Sequence, residues 1–130
     1  MHDSTLLHRQ VHPNFVQKTE VSSQVFEATS SVFTPTSKDD KKLSVYNGDK
    51  FSVKEAFDHY VADYLSVGVL SVTVEEVKSV GLSADEDNIP FDGHAYIDYS
   101  TCETNGKIKS KAKLLKKKAF DRGWMHLVQP

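Results

Sequence analysis

The sequence predicts an α+β domain, with residues 1–130 forming one small unit built on a mixed or antiparallel sheet and about three helices. Three observations carry that prediction. Short strand-like runs mix irregularly with helical periodicity, whereas a doubly wound sheet needs repeated strand–helix units and more chain. Ser52 with Glu55, and Thr73 with Glu76, have the spacing of a capping box, in which a hydroxyl accepts from an orphan N–H and a carboxylate reaches back. Residues 107–122 combine an apolar stripe with seven lysines, the pattern of a helix docked on one side and solvated on the others.

Taken in order, Thr5 to Val11 has strand composition, and His12-Pro13-Asn14 ends it because proline has no N–H for a ladder. Residues 15–40 are rich in Ser and Thr, with Val25-Phe26 and Val32-Phe33 as isolated apolar pairs that anchor a long loop or short strands. Leu43 to Tyr46 reads as a strand running into an Asn47-Gly48 turn, a pair that tolerates positive φ. From Ser52 the apolar positions Val53, Ala56, Phe57, Tyr60, Val61, Tyr64 and Leu65 step by three and four, which predicts one continuous buried helical face. Val67 to Val72 is a buried strand, and the helix that follows carries Val74, Val77 and Val80 and stops at Gly81. Asp85-Glu86-Asp87 and Asn88-Ile89-Pro90 read as an exposed connection, His94 to Tyr99 as an alternating strand. Lys107 to Arg122 places Ile108, Ala112, Leu115 and Ala119 on one stripe and ends at Gly123, before a closing strand over 124–128.

Composition bounds the class. With 38% hydrophobic, 26% charged and 10% aromatic residues, the chain is neither depleted like a disordered segment nor apolar like a membrane protein. The longest apolar-leaning stretch, 67–72, is far short of the roughly 20 residues that span a bilayer. Cys102 is the lone cysteine, so no intrachain disulfide forms, and Met1-His2-Asp3-Ser4 shows no secretory signal. The expectation is a cytoplasmic protein with no membrane partner. Charge is sorted along the chain: residues 1–100 hold eight Lys/Arg against sixteen Asp/Glu, a balance of −8, and residues 101–130 hold eight against two, a balance of +6, giving the net −2.

The candidate chemistry is dispersed. Lys109, Lys113, Lys116 and Lys117 make a polyanion-binding helix, since lysines on phosphates release condensed counterions. Against that stands a solvated face whose lysine stems cover apolar surface, on a helix without the arginines that read bases. The histidines are scattered, with no HExxH and no paired cysteines, so no metal site and no cofactor is assigned. Arg9, His12, Ser23 and His94 form a candidate catalytic set, a cation and polar groups suited to gripping a nucleotide phosphate and ribose. No glycine-rich phosphate loop, GxSxG or triad order supports it.

The succession Leu7-His8-Arg9-Gln10-Val11-His12-Pro13, Ser22-Ser23-Gln24-Val25-Phe26, Leu43-Ser44-Val45 and His94-Ala95, followed by a basic helix, resembles a group of small uncharacterised bacterial cytosolic proteins without an established activity. Gly93 departs from that pattern, which has proline or another residue before the His-Ala strand. The resemblance implies one domain of bacterial type working within a multi-gene system. Three functional readings follow. The first is a non-catalytic accessory protein that binds a partner protein through its charge-segregated surfaces. The second is a nucleic-acid-binding protein using the lysine helix, and the third an enzyme acting on a nucleotide or nucleic acid through Arg9, His12, Ser23 and His94.

Overall fold

The computed structural model describes residues 1–18, 26–36 and 40–128. Leu6–Val11 forms β1, a strand buried on both faces near the middle of a six-stranded sheet. A 3-10 turn over Pro13–Phe15 ends it, and β2 (Val16–Lys18) and β3 (Phe26–Ala28) then pair as a separate two-stranded ribbon. A 3-10 helix over Ser30–Phe33 precedes β4 (Lys42–Asn47), α1 (Val53–Val61), β5 (Gly68–Thr73), α2 (Val74–Ser79), β6 (Ser83–Glu86), β7 (His94–Asp98), α3 (Asn105–Arg122) and β8 (His126–Leu127). The large sheet runs β6-β7-β4-β1-β5-β8 with every pair antiparallel. The α+β architecture with three helices read from the sequence is the one observed.

Alternation along the strands sorts the two faces. Leu7, Val11, Leu43, Val45, Leu70, Val72, Ala95 and Ile97 point to one side and pack with Val32, Phe33 and the α3 stripe Ile108, Ala112, Leu115 and Ala119. That side is the main core. Tyr99 is fully buried in it and donates its hydroxyl to the Phe33 carbonyl. Arg122 closes the far end of α3, donating through Nη1 to the Ser71 carbonyl at 2.9 Å and to Glu76 Oε1 at 2.8 Å. Cys102 is buried within the same core. Among the described residues, no helix is long and apolar enough to cross a membrane.

Both capping boxes are present, at Ser52/Glu55 and Thr73/Glu76. Gly48, by contrast, is required for a reason other than the one its sequence suggests. It stands outside the positive-φ glycines, and its N–H donates to the Leu6 carbonyl at 2.7 Å, so close that an added Cβ would lie 2.4 Å from that oxygen. The exposed connection expected at Asp85–Asp87 is in part a strand: β6 pairs with β7 at the sheet edge, where acidic side chains facing water need no apolar alternation and discourage further pairing.

The apolar face predicted after Ser52 is also corrected. α1 stops at Val61, only Ala56 along it is fully buried, and Tyr64 and Leu65 beyond its end are 65% and 67% exposed. The stripe does not seal a core; it roofs the second face of the sheet, where the pocket described next lies.

Candidate functional site

Four polar or aromatic side chains form one rung across the second face. Ser71 on β5 pairs in register with His8 on β1, His8 with Tyr46 on β4, and Tyr46 with His94 on β7. Cross-strand partners share a face, so all four side chains project toward α1. Asp87 follows Glu86, the partner of Ala95, and extends the rung by one position: its Oδ1 lies 2.6 Å from His94 Nδ1.

Each histidine near this rung is held by a different partner. Ser71 Oγ is 2.7 Å from His8 Nδ1, and the Phe51 backbone carbonyl takes the remaining ring N–H of His8. Ser71 is wholly buried, so the pair is a strut rather than a nucleophile with its base. From α1, His59 lowers its Nδ1 to 2.8 Å from the Tyr46 hydroxyl. Phe51 and Phe91 complete a cage, with ring centroids 5.0 and 5.1 Å from Tyr46, and Phe91 lies 4.4 Å from the His59 ring.

A pocket of about 330 Å³ opens beside this cage, between α1 and the sheet. Its walls are mostly ring-bearing: His8, Tyr46, His59, Tyr60, Tyr64, Phe91 and His94, with Pro90 alongside. Its floor lies where β1 and β4 cease to pair. Their ladder covers only Leu7–Asn47 and His8–Tyr46, although both strands continue. Arg9 spans the gap, donating from Nε to the Val32 carbonyl at 2.8 Å and from Nη1 to the Ser44 carbonyl at 2.9 Å, so a guanidinium stands in for ladder bonds. Gln10 also lines the pocket; its Oε1 accepts from Ser66 Oγ at 2.9 Å, while its Nε2 is buried without a hydrogen-bond partner.

The electrostatics follow from burial. Burial raises the Tyr46 phenol to about 12, with Tyr60 and Tyr64 adding to the effect, so Tyr46 is a neutral hydrogen-bonding group. At Asp87, burial alone would raise the carboxyl, but hydrogen bonds from His94 and the Ile89 N–H, together with the His94 charge, leave it below its ordinary value. The Asp87–His94 pair thus fixes one nitrogen of the His94 ring.

Burial lowers the pKa of His8 below 6.5, outweighing the bond to Phe51. The unfolded chain therefore takes up a proton at this position before the folded chain does, and His8 contributes stability that is complete above pH 6.5 and is lost as pH falls below it. The loss reaches at most about 1.4 kcal/mol per pH unit for one proton. Urea denaturation between pH 7.5 and 5 is expected to show that decline in the wild-type chain and a shallower one in His8→Gln. Equal slopes in the two proteins would refute this role. Asp87 and Glu76, both depressed, lose their contributions only lower, as pH falls through the carboxylate range.

Of the catalytic set named from sequence, Arg9 and His94 line the pocket. His12 does not; its Nδ1 accepts from the Asn14 N–H at 3.0 Å, a local turn contact at the end of β1. Ser23 lies outside the described residues. Lys109, Lys113 and Lys117 are exposed on α3, and Lys116 is half-buried, its ammonium 5.9 Å from the Phe120 ring centroid. Sequence reasoning missed His8, Gln10, Tyr46, His59 and Phe91, which come together only through strand register. The one local signal was the choice of Tyr60 and Tyr64, rather than leucines, on the α1 stripe: tyrosine suits a surface that is apolar at one end and wet at the other. Among the described residues, no three His, Cys, Asp or Glu side chains come together as a metal site. No protein-family model, no curated protein and no solved structure matches this chain.

Proposed function

We propose that this protein binds a small planar ligand, of the nucleobase or nucleotide class, in the pocket between α1 and the sheet. The observation that carries the reading is a pocket of about 330 Å³ whose lining is mostly ring-bearing. The rings offer flat apolar surface for stacking, with hydrogen-bonding groups of histidine and tyrosine side chains among them. The volume falls at the small end of the range for ligand pockets, which suits one ring system with a short substituent. Arg9 and Asp63 are also among the residues that line the pocket. The reading retains Arg9 and His94 from the nucleotide-enzyme expectation and replaces His12 and Ser23 with Gln10, His59 and Phe91.

Calorimetric titration with a panel of nucleobases, nucleosides and nucleotides tests it. At least one member is expected to bind and to raise the unfolding midpoint, with stabilisation of about 2.7 kcal/mol at a hundred times its Kd. Phe91→Ala is expected to weaken that binding about tenfold or more, equivalent to about 1.4 kcal/mol. If no member of the panel binds at millimolar concentration, the reading fails.

A further inference from the structure

We infer that the solvent face of α3 is a second binding surface, independent of the pocket, for the phosphate backbone of a nucleic acid. α3 is seated on the sheet by Ile108, Ala112, Leu115 and Ala119, on the side opposite α1. Its outer side carries Lys109, Lys113 and Lys117 at successive four-residue steps, so the three ammonium groups stand in one line about 6 Å apart along the axis. All three residues are exposed. Among the described residues, no carboxylate lies within ion-pair distance of Lys109 or Lys113. Lys117 meets Asp121 at 3.4 Å, but both side chains are at least 70% exposed, and water screens such a pair. Among the described residues, the acidic groups therefore leave this cationic line available.

The residue types choose the partner. Protein interfaces concentrate aromatic residues and arginine and are depleted in lysine, and the exposed side of α3 offers one apolar residue, Leu114, at 45% exposure. Phosphates accept lysine as a point charge. Between Lys107 and Asp121 the helix has no Arg, Asn or Gln, the side chains that read base edges, so recognition is of the backbone and independent of sequence. The balance of −8 over residues 1–100 repels a polyanion elsewhere and confines contact to this helix.

Fluorescence anisotropy of the full chain with a labelled DNA duplex, titrated at several salt concentrations, tests the assignment. Binding at low salt is expected, with log Kobs falling linearly against log salt. Replacing the line as Lys109→Gln, Lys113→Gln and Lys117→Gln together should reduce the steepness of that slope by about 2.7, from about 0.9 per phosphate neutralised. Circular dichroism of the triple variant should match that of the wild-type chain, because the three side chains are exposed. A scrambled duplex should bind as well as the first. Three results would overturn the inference: no binding by wild type at tens of micromolar in low salt, an unchanged slope in the folded triple variant, or tighter binding to polyglutamate than to DNA, which would assign the surface to an acidic protein partner.

Discussion

Phe33→Ala is expected to cost about 3–5 kcal/mol of folding free energy, a large share of the roughly 5–15 kcal/mol that a domain commonly has. Phe33 is fully buried in the 3-10 helix Ser30–Phe33, a plug packed between α3 and the sheet. Truncation leaves a cavity that neighbours on regular elements cannot collapse to fill. The plug also organises polar contacts, since the Phe33 carbonyl accepts from Tyr99 and the adjacent Val32 carbonyl accepts from Arg9. A shift of the plug would therefore reach the pocket floor through Arg9. Chemical denaturation reads the effect directly, and a loss below about 1 kcal/mol would show that the plug is not part of the core.

Gly93→Ala is expected to cost about 2–5 kcal/mol, from roughly 1–2 for backbone strain and 1–3 for overpacking. Gly93 has φ +100°, and an added Cβ would stand 2.4 Å from one Phe51 ring carbon and 2.7 Å from another. The backbone cannot retreat easily, because the Gly93 N–H donates to Asn88 Oδ1 at 2.9 Å and its carbonyl accepts from the Asn47 N–H at 2.8 Å. Phe51 cannot move alone either, since its ring packs on Tyr46, His59 and Phe91. The variant should accordingly lose ligand affinity along with stability. A Gly93→Ala protein as stable as wild type would contradict this account.

Local features were legible in the sequence, and long-range register was not. The two capping boxes lie within four residues each, and the strands at β1, β4, β5 and β7 announce themselves by composition and alternation. α3 was legible from its stripe, although Thr104 caps it and it begins earlier than the Lys107 expected, at Asn105. β6 was hidden because an acidic edge strand has no apolar face to betray it. The stripe on α1 was misread because helical periodicity identifies an amphipathic face without saying whether a core or a ligand pocket lies beneath it. Arg9 and His94 could be named as chemistry-bearing types, but their meeting, and the rung of Ser71, His8, Tyr46 and His94, depends on pairing strands from across the chain.

The short ladder between β1 and β4 divides the large sheet. Six residue pairs join β1 to β5 and five join β4 to β7, but two join β1 to β4. The sheet is thus two stiff panels meeting at a seam that Arg9 stitches, and the pocket straddles it, with His8 and Gln10 on one panel and Tyr46 and His94 on the other. An occupant touching both panels would act as a rivet, resisting their rotation against each other, so the place of least internal bracing is also the place where occupancy can stiffen the whole sheet.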